Sequence, residues 1–177
     1  MRIFIISAVC LVAALRLFCS VLLKDKTFLR GDSKPVITTA VCCIIAGAGG
    51  SALGGYLCIN FFGGLANSTM LTVLSAIGAA VLGIGTAFAA RKLYKTETIY
   101  LPAIILLPVL CAIMTAMDFS GNDLESLLIN AAIACVCFAA TVVIWHGIML
   151  NAKSLKLPLV FEAVSVAAAL TAVLGVI

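Results

Sequence analysis

Six apolar runs, separated by short polar segments, set the pattern of the chain: about Ile3 to Leu23, Val36 to Ile59, Met70 to Ala90, Thr98 to Met117, Leu124 to Ile148, and Leu157 to Ile177. Each comes close to the roughly 20 residues that an α-helix needs to cross the hydrocarbon core of a bilayer. The pattern predicts an all-α, polytopic membrane protein with six transmembrane helices, forming one integral membrane domain over residues 1–177. Little chain is left for a soluble domain.

The fourth run differs from the others because it carries two prolines, Pro102 and Pro108. Pro102 suits a first helical turn, where its missing N–H is not needed. Pro108 falls mid-span, removes a backbone donor and pushes against the carbonyl four residues earlier, so a helix break is expected there. Freed backbone groups at membrane depth are tolerated where protein or a polar cavity surrounds them, which makes this break a candidate interior site. The alternative is that membrane helices simply carry proline more often than soluble ones.

Composition agrees with the pattern. With 64% hydrophobic and 10% charged residues, 177 residues cannot hide their apolar groups in one soluble core. Arg2 and the apolar run after it have the outline of a signal peptide, but Arg16 interrupts the run. No A-x-A pattern follows and no lipobox precedes Cys19, so the segment reads as a first, retained helix. All eight cysteines lie in or at the ends of apolar runs, which implies reduced, buried thiols rather than a secreted disulfide framework.

Charge sets the expected orientation. Lys24, Lys26, Arg30 and Lys34 fall between the first two runs, Arg91, Lys92 and Lys95 between the third and fourth, and Lys153 and Lys156 between the last two. These alternate loops belong in the cytoplasm, with both termini outside, as in a multi-pass protein of a bacterial inner membrane. The opposite connections are uncharged (Phe61 to Thr69) or acidic (Asp118, Asp123, Glu125). The net charge of +4 therefore reports topology, and no nucleic-acid footprint is present.

Several residues in the spans are candidates for more than packing. Arg16 would cost roughly 2.5 to 3.5 kcal/mol at mid-depth, so it either faces a cavity or partner or snorkels to the near interface. Gly47, Ser51 and Gly55, with Gly50 and Gly54 beside them, place small residues where another helix can approach closely. Asn67, Ser68 and Thr69 match a glycosylation sequon in a short loop. Asp123 or Asn122 can cap the fifth helix and Glu125 suits its positive end, the alternative being a mouth for cations. Cys135 and Cys137 point about 200° apart on a helix and cannot chelate together. His146, beside Trp145, reads as a solvated interfacial pair or as a proton relay. Pro158 and Glu162 read as the start of the last helix.

Taken in order, a Cys near the end of the first helix with a Lys-containing loop after it, Tyr100-Leu101-Pro102 opening the fourth, and Leu157-Pro158 with Phe161 opening the sixth resemble the Rnf/Nqr small membrane subunit family, in particular its RnfA and NqrE type. The layout covers nearly the whole chain, and the best residue matches are Arg91 to Pro102, Asn122 to Leu128 and Lys153 to Phe161. The resemblance implies two inverted three-helix repeats, each bringing a Cys toward a 2Fe-2S cluster shared with a homologous small membrane subunit. Cys19 and Cys111 would be the ligands here. Two departures stand out: Leu17, Phe18, Cys19 and Ser20 lack the family's flanking Gly and Pro, and Leu107 and Pro108 stand where the family has Asn-Cys. Cys111 comes three residues later, about 4.5 Å along a helix.

The function implied is that of an integral subunit of an ion-translocating electron-transport complex, partnered by other membrane subunits. Two alternatives come from other classes: a small-solute or ion transporter component with Pro108 and the Gly-rich second helix lining a path, and a cluster-free structural or assembly subunit. No Ser/His/Asp set, HExxH, P-loop or CxxC is present, which argues against a self-contained enzyme.

Overall fold

The computed structural model describes residues 2–21, 29, 32–66, 68–95, 100–121, 123–151 and 158–174. The basic residues Lys24, Lys26, Arg30, Lys153 and Lys156, together with Asn67, Thr98, Asn122 and Leu157, lie outside the described residues. Six helices are present: α1 (Arg2–Val21), α2 (Ser33–Phe61), α3 (Ser68–Tyr94), α4 (Leu101–Asp118), α5 (Leu124–Asn151) and α6 (Leu159–Leu174), with no strand among the described residues. Four of them, α2 to α5, are long and apolar enough to cross a membrane. The apolar parts described for α1 and α6 are shorter, Ile5–Val21 and Leu159–Thr171. Ile6, Val81, Phe88 and Val160 stand on the outside of the bundle, large apolar side chains that suit a hydrocarbon surrounding.

Local chemistry sets the helix ends. Pro102 occupies the first turn of α4, and the Pro158 carbonyl accepts from the amides of Phe161 and Glu162 as α6 begins. At the end of α2 the Cys58 carbonyl accepts from the amides of Phe62 and Gly64, a closure that requires Gly63 at φ 76°. Asp123 is the cap of α5, its Oδ2 accepting from the Ser126 amide at 2.8 Å. Hydrogen bonds from Ser126, through its hydroxyl and then its amide, hold the Asp123 carboxyl below its ordinary value.

Helix α2 is the centre of the bundle and packs on α3, α4 and α5. Outside this group, α1 and α6 pack on each other and on α5, while α3 covers α2 and α4. Glycines make α2's position possible. A Cβ at Gly50 would stand 2.5 Å from the Ala79 Cα, and one at Gly54 would stand 2.6 Å from the Ser75 Cα, so the α2 and α3 backbones touch along this line. On the other side of α2, a Cβ at Gly47 would meet the Cys135 sulfur at 2.6 Å, and one at Gly55 would meet Leu124 and Leu127 at 2.7 Å. The two glycine pairs thus serve two different neighbours.

The expected break at Pro108 does not occur, since α4 runs continuously from Leu101 to Asp118. The reason lies in α3. The Ile104 carbonyl, which loses its partner at position 108, faces α3 at Gly83, where a Cβ would stand 3.4 Å from that oxygen and 3.3 Å from the Ile105 Cα. Bare α3 backbone lies close to the freed group, so protein covers that carbonyl.

Two outcomes test this packing. Gly50→Ala and Gly54→Ala should each cost about 1 to 3 kcal/mol in unfolding measured in detergent or bicelles, because the added methyl must displace backbone. Gly85→Ala, with nothing within 4 Å of its Cβ position, should be neutral or slightly stabilising. For the α5 cap, folding lowers the carboxyl pKa, so the cap contributes above the unfolded carboxylate range and is lost as pH falls through the lower folded value. Amide protection at Ser126 should therefore drop in acid relative to mid-helix amides, and Asp123→Asn should remove that step.

Candidate functional site

Two buried polar clusters lie inside the bundle. The first joins the short outer helices to α5. Arg16 of α1 is 9% exposed and Glu162 of α6 is 1% exposed. Their side chains form a two-pronged ion pair, Nη1 with Oε2 and Nη2 with Oε1, the latter at 3.1 Å. The Arg16 Nη1 also lies 3.2 Å from the Met149 sulfur of α5. Arg16 thus has a carboxylate partner inside the protein, and Glu162 does more than favour a helix dipole. A signal for this pairing exists in the chain: opposite charges, one five residues before the end of α1 and the other three residues after the start of α6, fall at the same end of the bundle. Reading each charge against its own helix alone misses the pair.

His146 belongs to the same end of the molecule. It is 5% exposed, with Nδ1 at 2.8 Å from the Leu29 carbonyl and Nε2 at 3.1 Å from the Ser33 hydroxyl. A carbonyl can only accept, so Nδ1 carries a proton and donates to Leu29, while Nε2 shares a second hydrogen bond with the Ser33 hydroxyl. Trp145 is likewise fully buried. The pair is therefore not the solvated, interfacial one expected, because α5 is enclosed by α1, α2, α4 and α6. His146 ties the chain before α2, and the first residue of α2, to α5.

The second cluster is made of thiols at the crossing of α2, α4 and α5. Cys43, Cys111 and Cys135 are all fully buried. The Cys111 and Cys135 sulfurs are 3.3 Å apart, and Cys43 belongs to the same buried core. Gly47 makes room for this contact, and the backbone of Pro108 lies against it, 3.7 Å from the Gly47 Cβ position. Thr115 donates to the Cys111 carbonyl at 2.8 Å. Cys135 and Cys137 do point apart, as their spacing requires, and Cys135 finds its partner on another helix.

The two cysteines that the family resemblance singles out lie at different depths. Cys19 is two residues from the end of α1 and Cys111 ten residues into α4, positions about 3 Å and about 15 Å from the ends that the basic segments flank. Both are 0% exposed, so neither thiol is presented at an outer surface where a second subunit could add ligands. Cys19 and Cys111 thus lie at different depths, each covered by the chain's own residues. Among the described residues, no three His, Cys, Asp or Glu side chains converge as a metal-binding group. At the opposite end of the bundle Asp118, Asp123 and Glu125 are exposed, and Asp123 serves as the α5 cap.

Fold and site together define a class, an all-helical bundle with four helices long and apolar enough to cross a membrane and two buried clusters in its interior, one an ion pair and one of thiols. No family model matches the chain, and neither a curated protein nor a solved structure matches it.

The ion pair makes a quantitative expectation. Arg16→Ala or Glu162→Gln leaves one buried group without its counterpart and should cost about 3 to 5 kcal/mol of stability. The double replacement Arg16→Met with Glu162→Leu should recover most of that loss. Unfolding of the four proteins in bicelles measures both, and additive single losses would show that the two side chains do not act as a pair.

Proposed function

We propose that this chain is a membrane subunit of a redox-driven, ion-translocating complex with the Rnf/Nqr layout, acting as a helical half of a two-subunit core and supplying no ligand of its own to an iron-sulfur centre. The observation that carries the reading is the map of helix neighbours. Exchanging α1, α2 and α3 for α4, α5 and α6 turns the α2–α3 contact into α5–α6, α1–α6 into α3–α4, and α1–α5 into α2–α4, while α2–α5 and α1–α4 map onto themselves. That symmetry supports two three-helix repeats, and an odd number of spans per repeat makes their orientations opposite. Contact between α4 and α5 has no comparable image between α1 and α2 among the described residues, and that is where Cys111 meets Cys135.

Burial of Cys19 and Cys111 within the chain favours a structural role over cluster ligation in this subunit. The transporter alternative finds less support, because Pro108 and the α2 glycines are packed against neighbouring helices instead of lining a path. Orientation in the proposal follows the charges: Lys34 at the start of α2 and Arg91 and Lys92 at the end of α3 fall on one side, taken as the cytoplasmic face of a bacterial inner membrane.

Anaerobic purification with the native membrane partners tests the proposal. The chain should co-purify with a homologous small subunit and a redox partner. Iron, acid-labile sulfide and the reduced EPR spectrum of that complex should be unchanged by Cys19→Ser and by Cys111→Ser. Loss of iron with either substitution would restore the ligand assignment implied by the family. Labelling at Lys92 from outside intact cells would overturn the orientation, whereas labelling at Gly121 is expected.

A further inference from the structure

We infer that the groove between the first half of α2 and the last turns of α3 holds an acyl chain of an anionic phospholipid, whose phosphate sits among the basic residues at its mouth. The inference needs α2 and α3 to span a bilayer and is independent of the Rnf/Nqr reading. The groove follows from how the two helices meet. Their backbones touch where Gly50 faces Ala79 and Gly54 faces Ser75, and α2 carries no glycine before Gly47. Towards the start of α2 side chains therefore hold the helices apart, and a groove of about 290 Å³ opens along residues 37–45 of α2 and 86–90 of α3. That stretch of α2 rises about 12 Å, most of the roughly 15 Å of hydrocarbon in one leaflet. Cys42 and Ala90 form its floor, backed by Ile104 of α4, while Ile37, Val41 and Ile45 stand exposed along one wall.

The lining selects a hydrocarbon chain. Its two hydroxyls are spent on their own helices, Thr38 donating to the Lys34 carbonyl at 2.9 Å and Thr86 to the Gly83 carbonyl at 3.0 Å. Neither donor is left for a polar ligand. The mouth selects the charge. Lys34 lies one turn before Thr38 and Lys92 three residues after Ala89, spacings that put both on the helix faces lining the groove. Extending the register of the glycine contacts brings Thr38 level with Arg91 and Lys34 level with Lys95, so four cations gather at one end. Among the described residues the carboxylates at this end are Asp32 and Glu162, and Glu162 is held by Arg16. Lys and Arg carry their charge on long apolar stems to the level of the headgroups, and basic clusters between membrane helices bind anionic ones. A zwitterionic lipid brings its own cation to the same mouth and loses that attraction.

The test is native mass spectrometry of the full chain in detergent, offered phosphatidylglycerol and phosphatidylcholine with identical acyl chains. Phosphatidylglycerol should be retained about tenfold more strongly. Lys34→Gln combined with Lys92→Gln should remove most of that preference and leave phosphatidylcholine retention unchanged. Ala89→Phe puts a ring into the groove from an exposed position and should weaken retention of both lipids, whereas Val81→Phe, exposed but outside the groove, should change neither. In vesicles of mixed phosphatidylglycerol and phosphatidylcholine, a phosphatidylglycerol with a diazirine in its acyl chain should label residues 37–45 and 86–90 of the wild-type chain. Equal retention of the two lipids, or label confined to other helices, would overturn the site. Release of the chain from those vesicles by alkaline carbonate would overturn the membrane premise itself.

Discussion

In a bilayer, lipid chains solvate a leucine as well as a neighbouring helix does, so helices associate through close contact and polar bonds more than through hydrophobic burial. The approach of α2 to α3 at Gly50 and Gly54 is therefore the constraint from which the rest of the arrangement follows. With the backbones touching on that side, α2 turns Gly47 and Gly55 toward α4 and α5. Gly47 then leaves room for the Cys135 sulfur, and the thiol contact with Cys111 forms where three helices cross. The same close packing supplies the bare backbone of Gly83 that covers the carbonyl freed by Pro108.

The outer helices are held differently. Both α1 and α6 are peripheral: a buried ion pair joins them to each other, and a methionine sulfur of α5 meets its arginine, with no glycine seam of the α2–α3 kind. An ion pair in this setting adds little net stability over an apolar pair of the same shape, but it is unforgiving of the loss of either partner. It fixes which face of α1 meets which face of α6. Near the same end, His146 anchors the chain before α2 through Leu29 and Ser33, so the ends of α1, α2, α5 and α6 are tied by directional bonds. The opposite end shows no such network among the described residues and relies on caps such as Asp123.

Much of the helical layout was legible in the chain because each span is a local pattern. Six apolar runs correspond to six helices, with boundaries shifted by a few residues where Asp123, Pro102 and Gly63 set the ends. What the chain alone left open depends on which faces meet. The partner of Arg16 is 146 positions away, and the partner of Cys111 is on the next helix at a register that no single-helix spacing shows. Pro108 illustrates the same point, since α4 runs through it unbroken with a glycine of α3 packed close to the freed carbonyl. His146 and Trp145 look interfacial by position and are buried by neighbours.

The central claim is that Cys19, Cys111 and Cys135 are buried within this subunit, with the Cys111 and Cys135 sulfurs in contact. A cryo-electron-microscopy map of the chain purified with its native membrane partners tests this most directly. The account predicts Cys111 and Cys135 in contact within the subunit, Cys19 covered by the chain's own residues, and no density bridging these sulfurs to a neighbour. A cluster joining Cys19 or Cys111 to a second subunit would contradict it.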